Sequence, residues 1–386
     1  MNNIKQIEVI YDSRVVGRLA LTKEGLCAFE YSAEWLNTGF SISPFELPLR
    51  SGVFVARPRP FEGGFGAFDD CLPDGWGLLI LDRYLQQKGI NPRTLSLLER
   101  LALVGSTGRG ALEFRPDKSV VSKQEYTDFE KLALNAEQIL DSEDYTGEGI
   151  EEFQYRGGSP GGARPKIFTR FEDKEWLVKF RAKRDSKRIG VDEYNYSLLA
   201  KKCGIEMPET RLFEEKYFGV ERFDRTSNGK LHVVSIAGLI GADYRLPSID
   251  YTHIFQVCAT LTHSVAEMWK VYRLMVFNYL IDNKDDHAKN FAFIYRDGDW
   301  HFAPAYDLLP SDGINGFHTT SINDSIEPTK EDLFAVAVKV GLNEKEVIEV
   351  FEKNGEIYRS VFCLIVGIKM RSILFENWKY KYEKLL

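Results

Sequence analysis

Residues 5–60 alternate apolar and polar positions between turn residues, as in Ile7-Glu8-Val9-Ile10-Tyr11 and Val15-Val16-Gly17-Arg18-Leu19. A period of two lays one face of a strand on a core, so this stretch predicts β-strands. The period lengthens after Pro73-Asp74-Gly75. Residues 76–88 read as a helix, Asn91-Pro92 breaks it, and 94–104 read as another. Residues 1–115 therefore read as a small α+β unit. An amphipathic helix is expected over 128–140 and strands over 166–171 and 176–180. A helix over 192–202 ends at Gly204, and strands follow at 211–213 and 218–223. From Tyr251 onward helical spacing dominates, over 251–262, 265–282, 329–340, 343–353 and 355–380. A hairpin of 291–295 and 300–302 around Asp297-Gly298 interrupts it. Strands first and helices after predict segregated lobes rather than a doubly wound sheet.

Composition narrows the class. The 386 residues suffice for two or three domains, and 44% hydrophobic content supports a sizeable core. A net charge of −7 argues against a general nucleic-acid coat. No apolar run is long enough to span a membrane, and residues 1–6 open no signal-like segment. Cys27, Cys71, Cys203, Cys258 and Cys363 are scattered and form no CxxC pair, which reads as reduced core thiols of a cytoplasmic protein.

One window departs from this balance. Residues 155–188 hold eleven Lys/Arg against four Asp/Glu, a local +7 in a chain of −7. Charge runs are usually solvated faces. This one contains Gly157-Gly158-Ser159-Pro160-Gly161-Gly162 beside apolar strands, and a glycine-rich turn in a positive field suits phosphate better than solvent.

The strongest chemical signal is Asp285-Asp286-His287-Ala288-Lys289-Asn290, followed by Asp307 in Ala305-Tyr306-Asp307. An Asp, an Asn five positions on, and an Asp beyond a strand-turn-strand is the order in which protein kinases place a catalytic base and two metal ligands. Singly, Asp285 reads as a helix cap, Asn290 as a turn residue and His287 as a satisfied structural histidine. Together, so many polar groups between apolar segments need partners, which magnesium and phosphate would supply. Lys179, inside Trp176-Leu177-Val178-Lys179-Phe180, could reach nucleotide phosphates, with Glu193 or its neighbour Asp192 orienting it. Val220-Glu221-Arg222-Phe223-Asp224-Arg225 ends a strand where backbone groups could meet adenine and Asp224 a ribose. No GxxxxGK[ST] loop exists, and no GxGxxG opens a helix after a strand. A metallophosphoesterase reading of Asp285-Asp286-His287 lacks a second His/Asp cluster among only six histidines.

Taken in order, these motifs resemble those of the HipA-type serine/threonine kinases, toxins of bacterial type II toxin–antitoxin modules. Ser159 to Lys166 resembles the family's Ser-x-x-Gly-Ala-x-x-Lys loop, and 220–225 its nucleotide hinge. Asp285 to Phe291 is similar to its catalytic loop, and Pro304-Ala305-Tyr306-Asp307-Leu308 to its second metal motif. Leu72-Pro73-Asp74-Gly75 and 108–114 resemble its N-terminal subdomain, so the likeness spans nearly the whole chain.

The resemblance implies a two-lobed, protein-kinase-like α+β fold: a HipA N-terminal subdomain over 1–115, a kinase N-lobe over 116–225 and an all-helical C-lobe over 226–386. It implies ATP and Mg²⁺ as cofactors. Asp285 would be the catalytic base, with Asp286 the alternative, and Asn290 and Asp307 the metal ligands. Lys179, Lys166, Glu221, Phe223, Asp224, Ser159 and His287 would stand on the nucleotide side. Ser159 matches a serine that family members autophosphorylate to switch themselves off. Pro160 after it and Arg164-Pro165 before Lys166 depart from the family pattern, as does 232–250. The implied partners are a small helix-turn-helix antitoxin, operator DNA mainly through that antitoxin, and a protein substrate such as an aminoacyl-tRNA synthetase or another translation factor. Two rivals stand beside this reading: a catalytically silent corepressor that binds the antitoxin, and a kinase of small molecules.

Overall fold

A computed structural model describes residues 4–120, 128–142, 145, 147, 149–157, 162–313 and 315–365. The chain packs into two discontinuous units. The first takes Met1–Val191, Pro208–Asp243 and Ala292–Ala303; the second takes Asp192–Met207, Tyr244–Phe291 and Pro304–Leu386.

The first unit begins with an antiparallel sheet in the order Val53–Val55, Cys27–Tyr31, Arg14–Leu21, Gln6–Tyr11, Glu113–Arg115. The alternation of the sequence is its physical cause: Ile7, Val9, Leu19 and Phe29 all point into one core. The helix Leu97–Val104 closes that core with Leu98 and Leu101, and a reciprocal Ser96–Glu99 capping box starts it. A second core lies under the antiparallel sheet Lys166–Phe171, Lys174–Lys179, Tyr217–Glu221, Thr210–Phe213. Trp76 and Ile80 of the helix Gly75–Gln87 pack into it, with Leu132 of Phe129–Asp141 and Phe153 of Gly149–Gly157. A third sheet joins His232–Ser235 to the hairpin Ala292–Arg296 and Asp299–Phe302. The buried Asp70 carboxylate accepts from Ser235 N at 2.6 Å and from its Oγ at 2.7 Å. Nearby the backbone comes so close that a Cβ on Gly66 would stand 2.4 Å from the Gly238 Cα.

The second unit is largely helical: Tyr251–Thr262, Val265–Ile281, Lys330–Lys339 and Glu344–Ile365. Val265–Ile281 is apolar nearly all round, hence buried. It stops where Asp282 turns left-handed at φ 60°.

Two expectations are revised, and one element is added. Residues 343–353 and 355–380 are not separate helices; one helix runs through Gly355 as far as Ile365, and the remainder lies outside the described residues. Val347, Phe351 and Tyr358 are buried along one stripe that continues past the glycine, and this outweighs its helix cost of about 1 kcal/mol. The span 226–386 is not all helical, because 232–235, 292–296 and 299–302 form a sheet of the first unit. The glycine-rich segment is preceded by the helix Gly149–Gly157, which the sequence pattern did not show.

Candidate active site

In the second unit the buried helix Val265–Ile281 delivers the chain into the tract 283–290, and a 3-10 turn, Ala288–Asn290, ends that tract before the strand Ala292–Arg296. The two adjacent aspartates part company here. The Asp285 side chain is 64% exposed. The Asp286 side chain is fully buried. One Asp286 oxygen accepts from the Thr319 and Thr320 backbone N–H groups at 3.0 and 3.1 Å. The other meets His318 Nδ1 at 3.1 Å and accepts from the Tyr251 hydroxyl at 3.4 Å. The Thr320 hydroxyl donates to the Asp286 carbonyl. A carboxylate so enclosed is an anchor. The alternative of Asp286 as base is therefore set aside on geometry, and Asp285 is the carboxylate presented to solvent.

The anchor continues through a buried polar chain. Asn278 Nδ2 donates to the Tyr251 hydroxyl at 3.0 Å, and Asn283 Nδ2 donates to Asn278 Oδ1 at 3.0 Å and to the Asp307 carbonyl at 3.3 Å. Burial, with Asp286 nearby, pushes the Tyr251 phenol well above its ordinary value, so it stays protonated and can donate. Asp307 itself is left-handed at φ 55°, a conformation an aspartate tolerates better than most residues. Beside it, the Tyr306 hydroxyl donates to the Lys289 carbonyl at 2.7 Å, a second tie between the two motifs.

Asn290 Nδ2 donates to the Asp285 carbonyl at 2.6 Å, which leaves Oδ1 as the ligand end of the amide. Among the described residues no group of three His, Cys, Asp or Glu is placed to hold a metal. Magnesium does not need one, since one or two protein oxygens plus phosphate and water are its usual set. An amide oxygen at Asn290 and a carboxylate at Asp307 fit that chemistry. His287 caps the 3-10 turn, its Nδ1 accepting from Lys289 N at 3.3 Å, and its Nε2 lies 4.0 Å from Asp285 Oδ1. Lys289 sets its ammonium over the Tyr244 ring at 4.1 Å.

In the first unit, Lys166 and Lys179 are direct cross-strand partners, and both are buried. Glu221 ends its strand opposite Trp176 and gives its carboxylate to Lys174 at 2.9 Å. Phe223 follows, partly buried. Glu193 is buried on the helix Ile189–Lys202. Ser159 lies outside the described residues.

Asp224 has a structural task that its sequence neighbourhood does not show. Its carboxylate is buried and accepts from Arg222 at 2.9 and 3.0 Å, Arg225 at 2.9 Å and Gly110 N at 2.8 Å. Burial alone would raise it; the two guanidiniums outweigh that and hold it well below the usual carboxylate range. Arg222 and Arg225 also donate to the Gly108 carbonyl at 3.2 and 2.9 Å. Asp224 therefore pins the hinge to the 108–110 loop, with three of its carboxylate bonds on Oδ2 and one on Oδ1.

Sequence reasoning missed Tyr251, Asn283 and His318 to Thr320. Asn278 and Asn283 carried a usable signal, as polar residues in or just after an otherwise buried helix.

Residues 158–361 match the family described as HipA-like C-terminal domain, and residues 7–115 match the HipA N-terminal domain. The chain belongs to the HipA family. Y4dM of Sinorhizobium fredii is 26% identical over 339 residues, covering 81% of this chain and 80% of that protein. The serine/threonine-protein kinase toxin HipA of Shewanella oneidensis is 22% identical over 343 residues, 78% of this chain and 74% of the toxin. The fold matches a chain of the Shewanella oneidensis MR-1 complex of HipA, HipB and operator DNA. The TM-score is 0.70 and the identity 17%, over 97% of this chain and 95% of that one. This HipA-family chain thus has the protein-kinase-like HipA fold, and its relatives support kinase chemistry in general terms. No helix among its described residues is long and apolar enough to cross a membrane.

Proposed function

We propose that this HipA-family chain is an ATP- and Mg²⁺-dependent protein serine/threonine kinase, the toxin of a type II toxin–antitoxin pair. One observation carries the reading. Asp285 is exposed while its neighbour Asp286 is locked inward, and Asn290, five residues on, is tied to the Asp285 carbonyl. The loop thus presents one carboxylate and one amide oxygen in a fixed relation. Asp285 accepts the hydrogen bond of the attacking hydroxyl and aligns it. Asn290 and Asp307 hold magnesium, whose charge offsets that of the β- and γ-phosphates. Lys166 and Lys179 supply further positive charge on the phosphate side, and backbone groups at Glu221 and Phe223 receive adenine. Phosphoryl transfer asks mainly for this positioning and charge stabilisation.

One solved relative supports the proposed antitoxin and DNA partners. The Shewanella toxin's structure includes HipB and operator DNA, so a small helix-turn-helix antitoxin is proposed here, with operator contacts mainly through it. The net charge of −7 suits that division of labour. The protein substrate is proposed to be an aminoacyl-tRNA synthetase or another translation factor, and the compartment the cytoplasm. Self-inhibition through phosphorylation of Ser159 belongs to the same proposal.

The test is intact mass and peptide mapping after incubation with ATP and Mg²⁺, wild type beside Asp285→Asn. One phosphate at Ser159, absent from the variant, is the expected result. No phosphate on either, together with no nucleotide binding by calorimetry, would favour the silent corepressor.

A further inference from the structure

The motif Leu72-Pro73-Asp74-Gly75 belongs to the N-terminal domain, and nothing in the kinase reading uses it. The structure places it against the far end of the glycine-rich segment. Asp74 stands at the N-cap of the helix Gly75–Gln87, yet its side chain makes no bond to that helix's own N–H groups. Its Oδ1 accepts instead from Gly162 N. The exchange is reciprocal, because the Gly162 carbonyl accepts from Trp76 N, an orphan donor of the helix's first turn, at 2.9 Å. Two segments 88 positions apart thus cap each other.

Both glycines are required by this fit. A Cβ on Gly75 would stand 2.5 Å from the Gly162 carbonyl oxygen, and Gly75 has φ +45°. A Cβ on Gly162 would stand 2.8 Å from the Lys166 ammonium, and Gly162 has φ +89°. Trp76 adds a third hold, its ring edge-on to Phe153 of the helix Gly149–Gly157 at 5.0 Å. Four residues after Gly162 the strand Lys166–Phe171 begins, with Lys166 opposite Lys179. The clamp therefore fixes the backbone from which Lys166 enters its strand, and keeps a side chain away from the Lys166 ammonium.

We propose that Asp74-Gly75-Trp76 is a positioning device for the nucleotide phosphates: the N-terminal domain holds Gly162, and through it Lys166, in the geometry that receives them. This rests on the nucleotide reading of Lys166 given above. Asp74 acts through Gly162 and Lys166 and is itself a positioning residue.

The experiment compares Asp74→Ala and Asp74→Asn, each in the full chain carrying Asp285→Asn so that no turnover intervenes. MgATP affinity is read by calorimetry, amide exchange at Gly162 by mass spectrometry, and folding by thermal midpoint. Removing one charge-assisted bond is expected to weaken MgATP about tenfold in Asp74→Ala and to speed exchange at Gly162. Asp74→Asn keeps an acceptor oxygen and is expected to retain affinity within about threefold. In the otherwise native chain, Asp74→Ala is expected to raise KM for ATP more than it lowers kcat. Asp74→Ala with native MgATP affinity would overturn the positioning role alone. So would equal loss in Asp74→Ala and Asp74→Asn. A native chain that takes up no MgATP would overturn the nucleotide reading and the clamp's role with it.

Discussion

Asn290 turns its side-chain Nδ2 onto the backbone carbonyl of Asp285, five residues back, at 2.6 Å. This bond orients the amide so that Oδ1 is the end available to a cation, and it fixes the backbone that carries the proposed base. Asn290→Asp keeps a ligand oxygen but sets a carboxylate beside that carbonyl. Turnover is expected to fall about 10- to 100-fold, and half-maximal rate to need more free Mg²⁺. Initial rates across a magnesium titration check this. An unchanged magnesium requirement would remove Asn290 from the metal site.

The two neighbouring aspartates should separate by stability. Asp286 accepts two backbone N–H groups and contacts His318 and Tyr251 in a buried setting. Asp286→Ala strands those donors and is expected to cost about 3–5 kcal/mol in urea unfolding. Asp285→Asn changes an exposed group and is expected to stay within about 0.5 kcal/mol of the native chain. Equal stability losses would contradict the division into anchor and base.

Acid should remove the contribution of one buried histidine to the first unit. His232 is buried, its Nε2 2.7 Å from the Ile42 carbonyl oxygen. Burial pushes its pKa down to about 4 from an ordinary 6.5, with the Ile42 contact opposing in part. The unfolded chain therefore binds the extra proton first. The stabilisation is fully present above pH ~6.5 and is lost progressively as pH falls towards about 4, by about 3 kcal/mol in all. Urea midpoints across this range, native beside His232→Gln, check it. The variant should show a flatter profile.

Gly66 and Gly238 meet backbone to backbone, with no room for a Cβ. Gly66→Ala is expected to cost about 1–3 kcal/mol through overpacking. Thermal unfolding is the readout, and a neutral result would mean the two segments can separate without loss.

Local pattern carried much of this fold. The alternation around Val9 and Leu19 places both in one core, and the apolar run 271–281 is the buried helix that delivers the tract 283–290. The spacing of Asp285, Asn290 and Asp307 pointed to one loop and one following segment, which the structure ties together through Asn283 and Tyr306. What stayed illegible depends on distant partners. Adjacent aspartates look alike until residues 318–320 arrive to enclose one of them. The structural task of Asp224 was hidden because Gly110, 114 positions earlier, supplies one of its partners. Gly355 suggested a helix break because tertiary packing on either side of it is invisible in the chain itself.

The most direct test is single-turnover phosphoryl transfer by Asp285→Asn beside the native chain, with MgATP affinity measured on both. The expected result is native-like MgATP binding with transfer slowed at least about a hundredfold. Transfer at the native rate in the variant would contradict the assignment of Asp285 as the base.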